Sequence, residues 1–234
     1  MRVFGIGDLH LSSSGEKPMD VFGPEWADHD RKIAANWSEA VAPDDLVLIC
    51  GDLSWAMRLA EAQADLALID SLPGVKYFIR GNHDYWCTGV APVRRALGPT
   101  MHYLRNDAAV HGGVGICGER GWLTPGHPDF DPHEDARHWQ RAVIRLGLSL
   151  QALGRLQWQV ALAMCHYPPR TASAGTELSD LLAPAGVRHC IYGHLHGADS
   201  AGAFEGEAGG VLYRCVSADR IGFRPALLFE HTAC

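Results

Sequence analysis

Five short groups of side chains punctuate the sequence: Asp8 with His10; Asp52; Asn82 and His83 followed by Asp84; His166; and His194 with His196. Carboxylate, amide oxygen and imidazole are donors that first-row divalent cations accept. With no thiolate among them, the set suits manganese, iron, zinc or cobalt rather than a closed cysteine-type structural zinc. The seven candidate ligands Asp8, His10, Asp52, Asn82, His166, His194 and His196 exceed the needs of one tetrahedral ion. They suit two ions a few ångströms apart that share a carboxylate. Such a pair lowers the pKa of a water held between its members, as a single zinc can bring bound water to about 7. Next to a phosphoryl group, the resulting hydroxide is a ready nucleophile. His83 can carry a proton, and Asp84 beside it can hold the imidazole in one tautomer.

Each group follows an apolar run that reads as a buried strand: 3–7, 46–50, 75–79, 160–165 and 189–192. In open α/β sheets, sites form where the carboxyl ends of neighbouring strands converge. Side chains alternate along a strand, so D-x-H and H-x-H aim both members of each pair at one point. Gly7, Gly51, Gly81 and Gly193 leave room for tight turns there. Between the strands, apolar spacing predicts helices over 26–41 (Ile33, Trp37, Ala40, Val41) and 57–72 (Leu59, Ala62, Leu66, Ile69). It also predicts a short helix at 93–97, a long one over 133–156 (Trp139, Val143, Leu146, Leu150) and another short one at 178–182. Short strands are expected at 101–104, 108–111, 114–117, 211–217 and 226–230. The alternation reads as an α/β fold. With no repeat, low-complexity segment or dividing linker, residues 1–234 are expected to form a single domain.

Composition narrows the class. At 234 residues, 47% hydrophobic and 20% charged, the chain is long and apolar enough for a substantial core. A net charge of −7 with no lysine–arginine cluster argues against a sequence-independent grip on nucleic acid. Seven cysteines, widely spaced and without a C-x-x-C pair, point to a reducing compartment and no disulfide framework. A strand begins within two residues of Met1, leaving no room for a signal peptide, and no apolar run reaches membrane-spanning length. A cytoplasmic location with no membrane partner is expected.

The ordered series D-x-H, G-D, G-N-H-D, H, G-H-x-H resembles the calcineurin-like metallophosphoesterases, over the stretch from Asp8 to His196. That resemblance implies a four-layer α/β/β/α sandwich of two mixed sheets with flanking helices. It implies one metal on Asp8, His10, Asp52 and His196, and a second on Asp52, Asn82, His166 and His194, with Asp52 bridging. His83 would donate a proton to the leaving oxygen or stabilise the transition state, oriented by Asp84. Further matches point to a branch of small prokaryotic phosphohydrolases: Lys17-Pro18-Met19-Asp20, Trp26, the run from Gly51 to Met57, Tyr85-Trp86, and the run from Tyr192 to Gly197. Protein Ser/Thr phosphatases continue after G-D with V-D-R-G, whose arginine helps hold phosphate. Here Leu53-Ser54-Trp55 follows, which argues against protein phosphatase activity.

Asn82, beyond its ligand role, and Arg120, His127 and His133 are candidates for touching substrate. Arg120 could clamp a phosphate bidentately, its bland alternative being a salt bridge to Glu119. His127, like His133, flanks a Pro-Gly loop. Arg80 is read as supporting the site from behind. His29, His102, His111, His138, His189 and His231 are read as structural or solvated, and Trp55, Trp86 and Trp122 as packing residues. The leading expectation is a hydrolase that uses two divalent ions (manganese, iron or zinc) to cleave a small phosphate mono- or diester. A metal-bridging hydroxide would attack and His83 would protonate the leaving group. A nuclease or other phosphodiesterase acting on nucleic acid is the first alternative, and the acidic balance argues against it. A non-catalytic metal-binding scaffold is the second, and the complete ligand set argues against that.

Overall fold

Nearly continuous apolar strands, flanked by helices with a single apolar stripe, give two sheets. In the computed structural model, which describes residues 1–13, 17 and 19–232, the first sheet has the order β11-β1-β2-β3-β4. Its strands are β1 (Arg2–Ile6), β2 (Leu46–Ile49), β3 (Val75–Phe78), β4 (Met101–Tyr103) and β11 (Ala226–Glu230). β1 to β4 run parallel and β11 closes the edge antiparallel. The second sheet has the order β5-β6-β7-β8-β10-β9, from β5 (Ala109–His111), β6 (Val114–Glu119), β7 (Val160–Cys165), β8 (Val187–Tyr192), β9 (Gly206–Ala208) and β10 (Val211–Cys215). Its four central strands are parallel and both edge strands antiparallel. Both sheets are therefore mixed.

The helices are α1 (His29–Ala40), α2 (Gln63–Ser71), α3 (Val90–Ala96), α4 (Ala136–Leu153) and α5 (Glu177–Asp180). Three apolar layers hold the sandwich together. Ile33 and Trp37 of α1, Leu66 and Ile69 of α2 and Val93 of α3 pack on Phe4, Ile6, Val47, Ile49 and Phe78. Trp139, Leu146, Leu150 and Leu153 of α4 pack on Ala161, Ala163 and Cys165 of the other sheet. Between the sheets, Val3, Leu46, Leu48 and Tyr77 meet Ile116, Leu162, Met164 and Ile191. β2 is buried at all four residues because both its faces are covered, which explains its unbroken Leu-Val-Leu-Ile sequence.

The two sheets meet at the ends of their parallel strands. Gly7 N donates to Val216 O (2.8 Å), and Ala218 N donates back to Gly7 O (3.0 Å). A Cβ on Gly7 would lie 3.2 Å from Cys50 Cβ and 3.6 Å from Gly193 Cα, so this position must stay small for the sheet ends to close. Every candidate ligand follows a strand that ends at this junction.

Some expectations needed adjusting. α2 begins at Gln63 rather than near 57, because Glu61 Oε2 accepts from the Met57 and Arg58 amides (3.1 Å each) and folds 57–62 into turns. α4 is shorter than 133–156 at both ends. β9 was not expected; it is a three-residue edge strand with little apolar signal. Of the residues read above, Pro18 and Cys234 lie outside the described residues. The other six cysteines are buried free thiols. Among the described residues, no helix is long and apolar enough to cross a membrane.

Trp37 is fully buried, with its indole N–H donating to Pro73 O at 2.9 Å. Trp37→Ala should lower unfolding free energy by about 3–5 kcal/mol in urea titrations. Ile144→Ala, on the exposed face of α4, should change it by less than about 0.5 kcal/mol.

Candidate metal centre

The turns after β1, β2, β3, β7 and β8 converge on one buried point. Asp8, His10, Asp52 and His166 are buried, and Asn82, His194 and His196 are half-buried at its mouth. Asp8, His10 and His196 present ligand atoms within 4.8 Å of one another, and so do Asp8, Asp52 and His166. Asp52 Oδ2 lies 3.7 Å from His10 Nε2 and 3.5 Å from His166 Nε2, so one oxygen sits between the two groups. Asn82 Oδ1 lies 2.5 Å from His166 Nε2 and 3.0 Å from His194 Nδ1. The structure thus brings together all seven residues singled out for metal.

The backbone carries strain to do this. Asp8 (φ 59°), His10 (φ 46°), Asp52 (φ 53°) and His194 (φ 72°) are four of seven non-glycine residues with positive φ among those described. Such conformations cost of order 1–3 kcal/mol each and collect at functional sites. They also correct the strand argument: Asp8 and His10 converge through left-handed turns rather than through extended alternation. The glycines act as expected. A Cβ on Gly193 would fall 2.2 Å from Asp8 Oδ2, and one on Gly81 would fall 2.0 Å from Asp52 Oδ1.

Lone pairs outnumber protons here. His166 Nδ1 donates to Cys50 O (2.8 Å), which fixes the tautomer and turns the Nε2 lone pair toward Asn82 Oδ1. His196 Nδ1 is held by Asp219 Oδ1 (3.1 Å), so Nε2 faces His10 Nε2 and Asp8 Oδ1, both at 3.3 Å. Burial pushes His166 down to about 4 and His194 down to about 3, leaving both neutral. Burial also opposes the charged form of His196, but Asp8 and Asp219 outweigh it and raise that group to about 10. Asp52 is pushed well above the usual carboxylate range by burial and by Asp84 and Asp8 nearby. Neutral imidazoles at His166 and His194, a His196 ring that a cation would displace a proton from, crowded carboxylates and an amide oxygen form a donor set that fits divalent cations.

Asp84 requires a correction. Its carboxylate does not touch the His83 ring. Oδ2 accepts from the Asp52 and Gly81 amides (2.8 and 2.7 Å), and Oδ1 accepts from the Leu53 and Ser54 amides and the Trp86 indole (2.9, 3.3 and 3.0 Å). These inward-pointing amides need an acceptor, and Asp84 supplies it for both loops at once. His83 is set instead by rings, with Trp55 at 4.4 Å and His10 at 5.6 Å between centroids. Its Nδ1 is buried without a partner among the described residues.

Other expectations divide. His127 is exposed, and its Nδ1 accepts from the Asp129 amide. Arg120 O accepts from the His166 and Tyr167 amides, so Arg120 adjoins the centre while its guanidinium lies over Trp122. Trp55 stacks on His10, Trp86 is buried and Trp122 stacks on His138, all as packing residues. Asp219 was missed. It follows β10 without a ligand motif, and only the fold brings it behind His196, where it also accepts from Gly197 N (2.8 Å). The one available signal was a lone acid in a Ser-Ala-Asp turn.

The sequence pattern of calcineurin-like phosphoesterases matches residues 1–198. The chain belongs to that family. It is 37% identical over 84 residues to the gene 66 protein of Mycobacterium phage D29, covering 36% of this chain and 40% of that one. It is 27% identical over 126 residues to the acyl-carrier-protein phosphodiesterase PptH of Mycobacterium tuberculosis, covering 54% and 31%. The matched stretch therefore spans well under half the length of these curated relatives. The fold resembles the crystal structure of PptH, described as a phosphopantetheinyl hydrolase, with a TM-score of 0.58 at 17% identity and coverage of 100% and 98%. A protein of unknown function from Aquifex aeolicus, AQ665, gives 0.50 at 15% identity, with coverage of 96% and 94%.

Asp219→Asn should weaken divalent-metal affinity roughly 10- to 100-fold, because it loosens the carboxylate that orients His196. Metal-binding calorimetry checks this. Asp84→Ala should cost roughly 3–5 kcal/mol of stability by stranding buried donors, visible as a large drop in melting temperature.

Proposed function

We propose that the chain is a dinuclear metal-dependent phosphohydrolase cleaving a small phosphate mono- or diester. The observation that carries this reading is the lone-pair-rich cluster of two carboxylates, four imidazoles and an amide oxygen at one buried point. We assign one ion to Asp8, His10, Asp52 and His196 and the other to Asp52, Asn82, His166 and His194. Asp52 would serve both, a reading its position between His10 and His166 supports. Divalent ions bound there would supply Lewis acidity for phosphoryl oxygens and a nucleophilic water near neutral pH.

The protein's own part is orientation and proton supply. Cys50 O and Asp219 fix the ring tautomers of His166 and His196, and Asp84 fixes the two loops that present Asp52 and Asn82. His83 is half-buried beside the cluster, braced by Trp55 and close to His10, and is the residue we assign to give a proton to the leaving oxygen. General-acid help of this kind is worth about 10²–10⁴ in rate. The partner is thus a small-molecule phosphoester. The buried free thiols and the absence, among the described residues, of a spanning helix support a cytoplasmic setting.

The test is a panel of p-nitrophenyl phosphate, bis-p-nitrophenyl phosphate, cyclic nucleotides, dinucleotides and phosphopantetheinylated carrier protein. The carrier protein is included because one relative is a phosphodiesterase of that class. With Mn²⁺, Fe²⁺, Zn²⁺ or Co²⁺ at least one ester should turn over, and EDTA should abolish it. No turnover on any ester, or turnover indifferent to EDTA, contradicts the proposal. His83→Ala should keep full metal content and lose about 10²–10⁴ in kcat. Asp52→Ala should lose metal and turnover together, by elemental analysis and assay.

A further inference from the structure

Next to the metal centre is a cavity of about 230 Å³ whose walls are unusually basic: Arg80, Arg105, Arg120, Arg141 and Arg145 line it, with Glu119 the one carboxylate. The arginines come from four separate places. Arg80 follows β3, Arg105 follows β4, Arg120 follows β6, and Arg141 and Arg145 share one face of α4 with His138. The fold, not a basic run in the sequence, assembles them.

Outside the cavity Arg2, Arg58, Arg94, Arg220 and Arg224 each pair with an acid, while the other arginines stand apart from one another rather than sharing one pocket. In this cavity only Arg145 pairs with an acid, at 3.7 Å from Glu119. Arg80, Arg105, Arg120 and Arg141 make no ion pair among the described residues, and Arg80 Nε is buried without a hydrogen-bond partner. Burial and the neighbouring Arg80 both press on the charged form of Arg120. Unpaired guanidinium groups brought together repel one another unless an anion sits among them, and their planar forks match phosphate oxygens bidentately.

We infer that this cavity is a second anion site, which binds a phosphate group distinct from the one processed at the metals. It shares walls with the centre: Arg80 directly precedes Gly81-Asn82, and Arg120 O accepts from His166 N (3.0 Å) and Tyr167 N (2.8 Å). The group held there comes either from the far end of the substrate or from free phosphate. Only that choice of source rests on the phosphoesterase reading; the site itself does not.

The test begins with inorganic phosphate titrated into the metal-loaded protein, followed by calorimetry and ³¹P NMR. The expected result is two phosphates per chain, one of which remains after EDTA removes the metals. The double variant R105A/R141A should lose the EDTA-resistant phosphate, with affinity at least tenfold weaker and no fall in melting temperature, since like charges are relieved. A wild-type protein that binds a single phosphate, lost with EDTA, overturns the inference. So does undiminished binding in the variant. The second arm compares KM for a nucleoside 3′,5′-bisphosphate and for the matching 5′-monophosphate. If the substrate carries the second group, wild type should favour the bisphosphate and R105A/R141A should lose that preference about tenfold. Equal KM values with intact phosphate binding assign the site to a free anion. Should no ester be hydrolysed, the phosphoesterase proposal fails while the EDTA-resistant phosphate still decides this one.

Discussion

The geometry depends first on Asp84. Its fully buried carboxylate accepts four backbone amides and an indole, and those amides belong to the two loops that follow β2 and β3. Burial raises its pKa and the donors pull it back. Without that acceptor, the amides of Gly81, Asp52, Leu53 and Ser54 would be stranded and the loops would part. Asp52 in turn accepts from His83 N at 2.8 Å, so the residue expected to bridge two ions and the proposed acid are set by the same staple.

A second constraint is crowding. Glycines at 81 and 193 let Asp52 and Asp8 lie closer to neighbouring backbone than any Cβ would permit. Four non-glycine residues around them adopt positive φ. Two sheets packed through an apolar layer hold the five turns at fixed separation, and Gly7 pairing with the segment after β10 locks their ends together. A rigid sandwich can bear a strained, electrostatically frustrated cluster because the cost is spread over a large core. The cluster's frustration is the chemical reason to place cations there.

Much of this was legible in the sequence. Val3 to Ile6, Leu46 to Ile49 and Ala161 to Cys165 are buried strands, legible because short apolar runs bounded by turn residues suit a strand covered on both faces better than a helix. The seven ligand types stood directly after such runs, which is why all of them meet. What escaped were features that depend on long-range contacts. Asp84 looked like a partner for its neighbour His83, but the unsatisfied amides of a distant loop claimed it. Asp219, far along the chain, gave no local pattern, and the arginine cavity is built from four segments with nothing in common but their place in the fold. His127 followed an active-looking Pro-Gly turn and is simply exposed.

The central claim is two cations within one shared ligand set. The most direct measurement is anomalous diffraction from a crystal of the protein soaked in Mn²⁺. Two peaks about 3.5–4 Å apart are expected, one beside His10 and His196 and the other beside His166 and His194, with Asp52 between them. A single peak, or none within reach of these imidazoles, would contradict it.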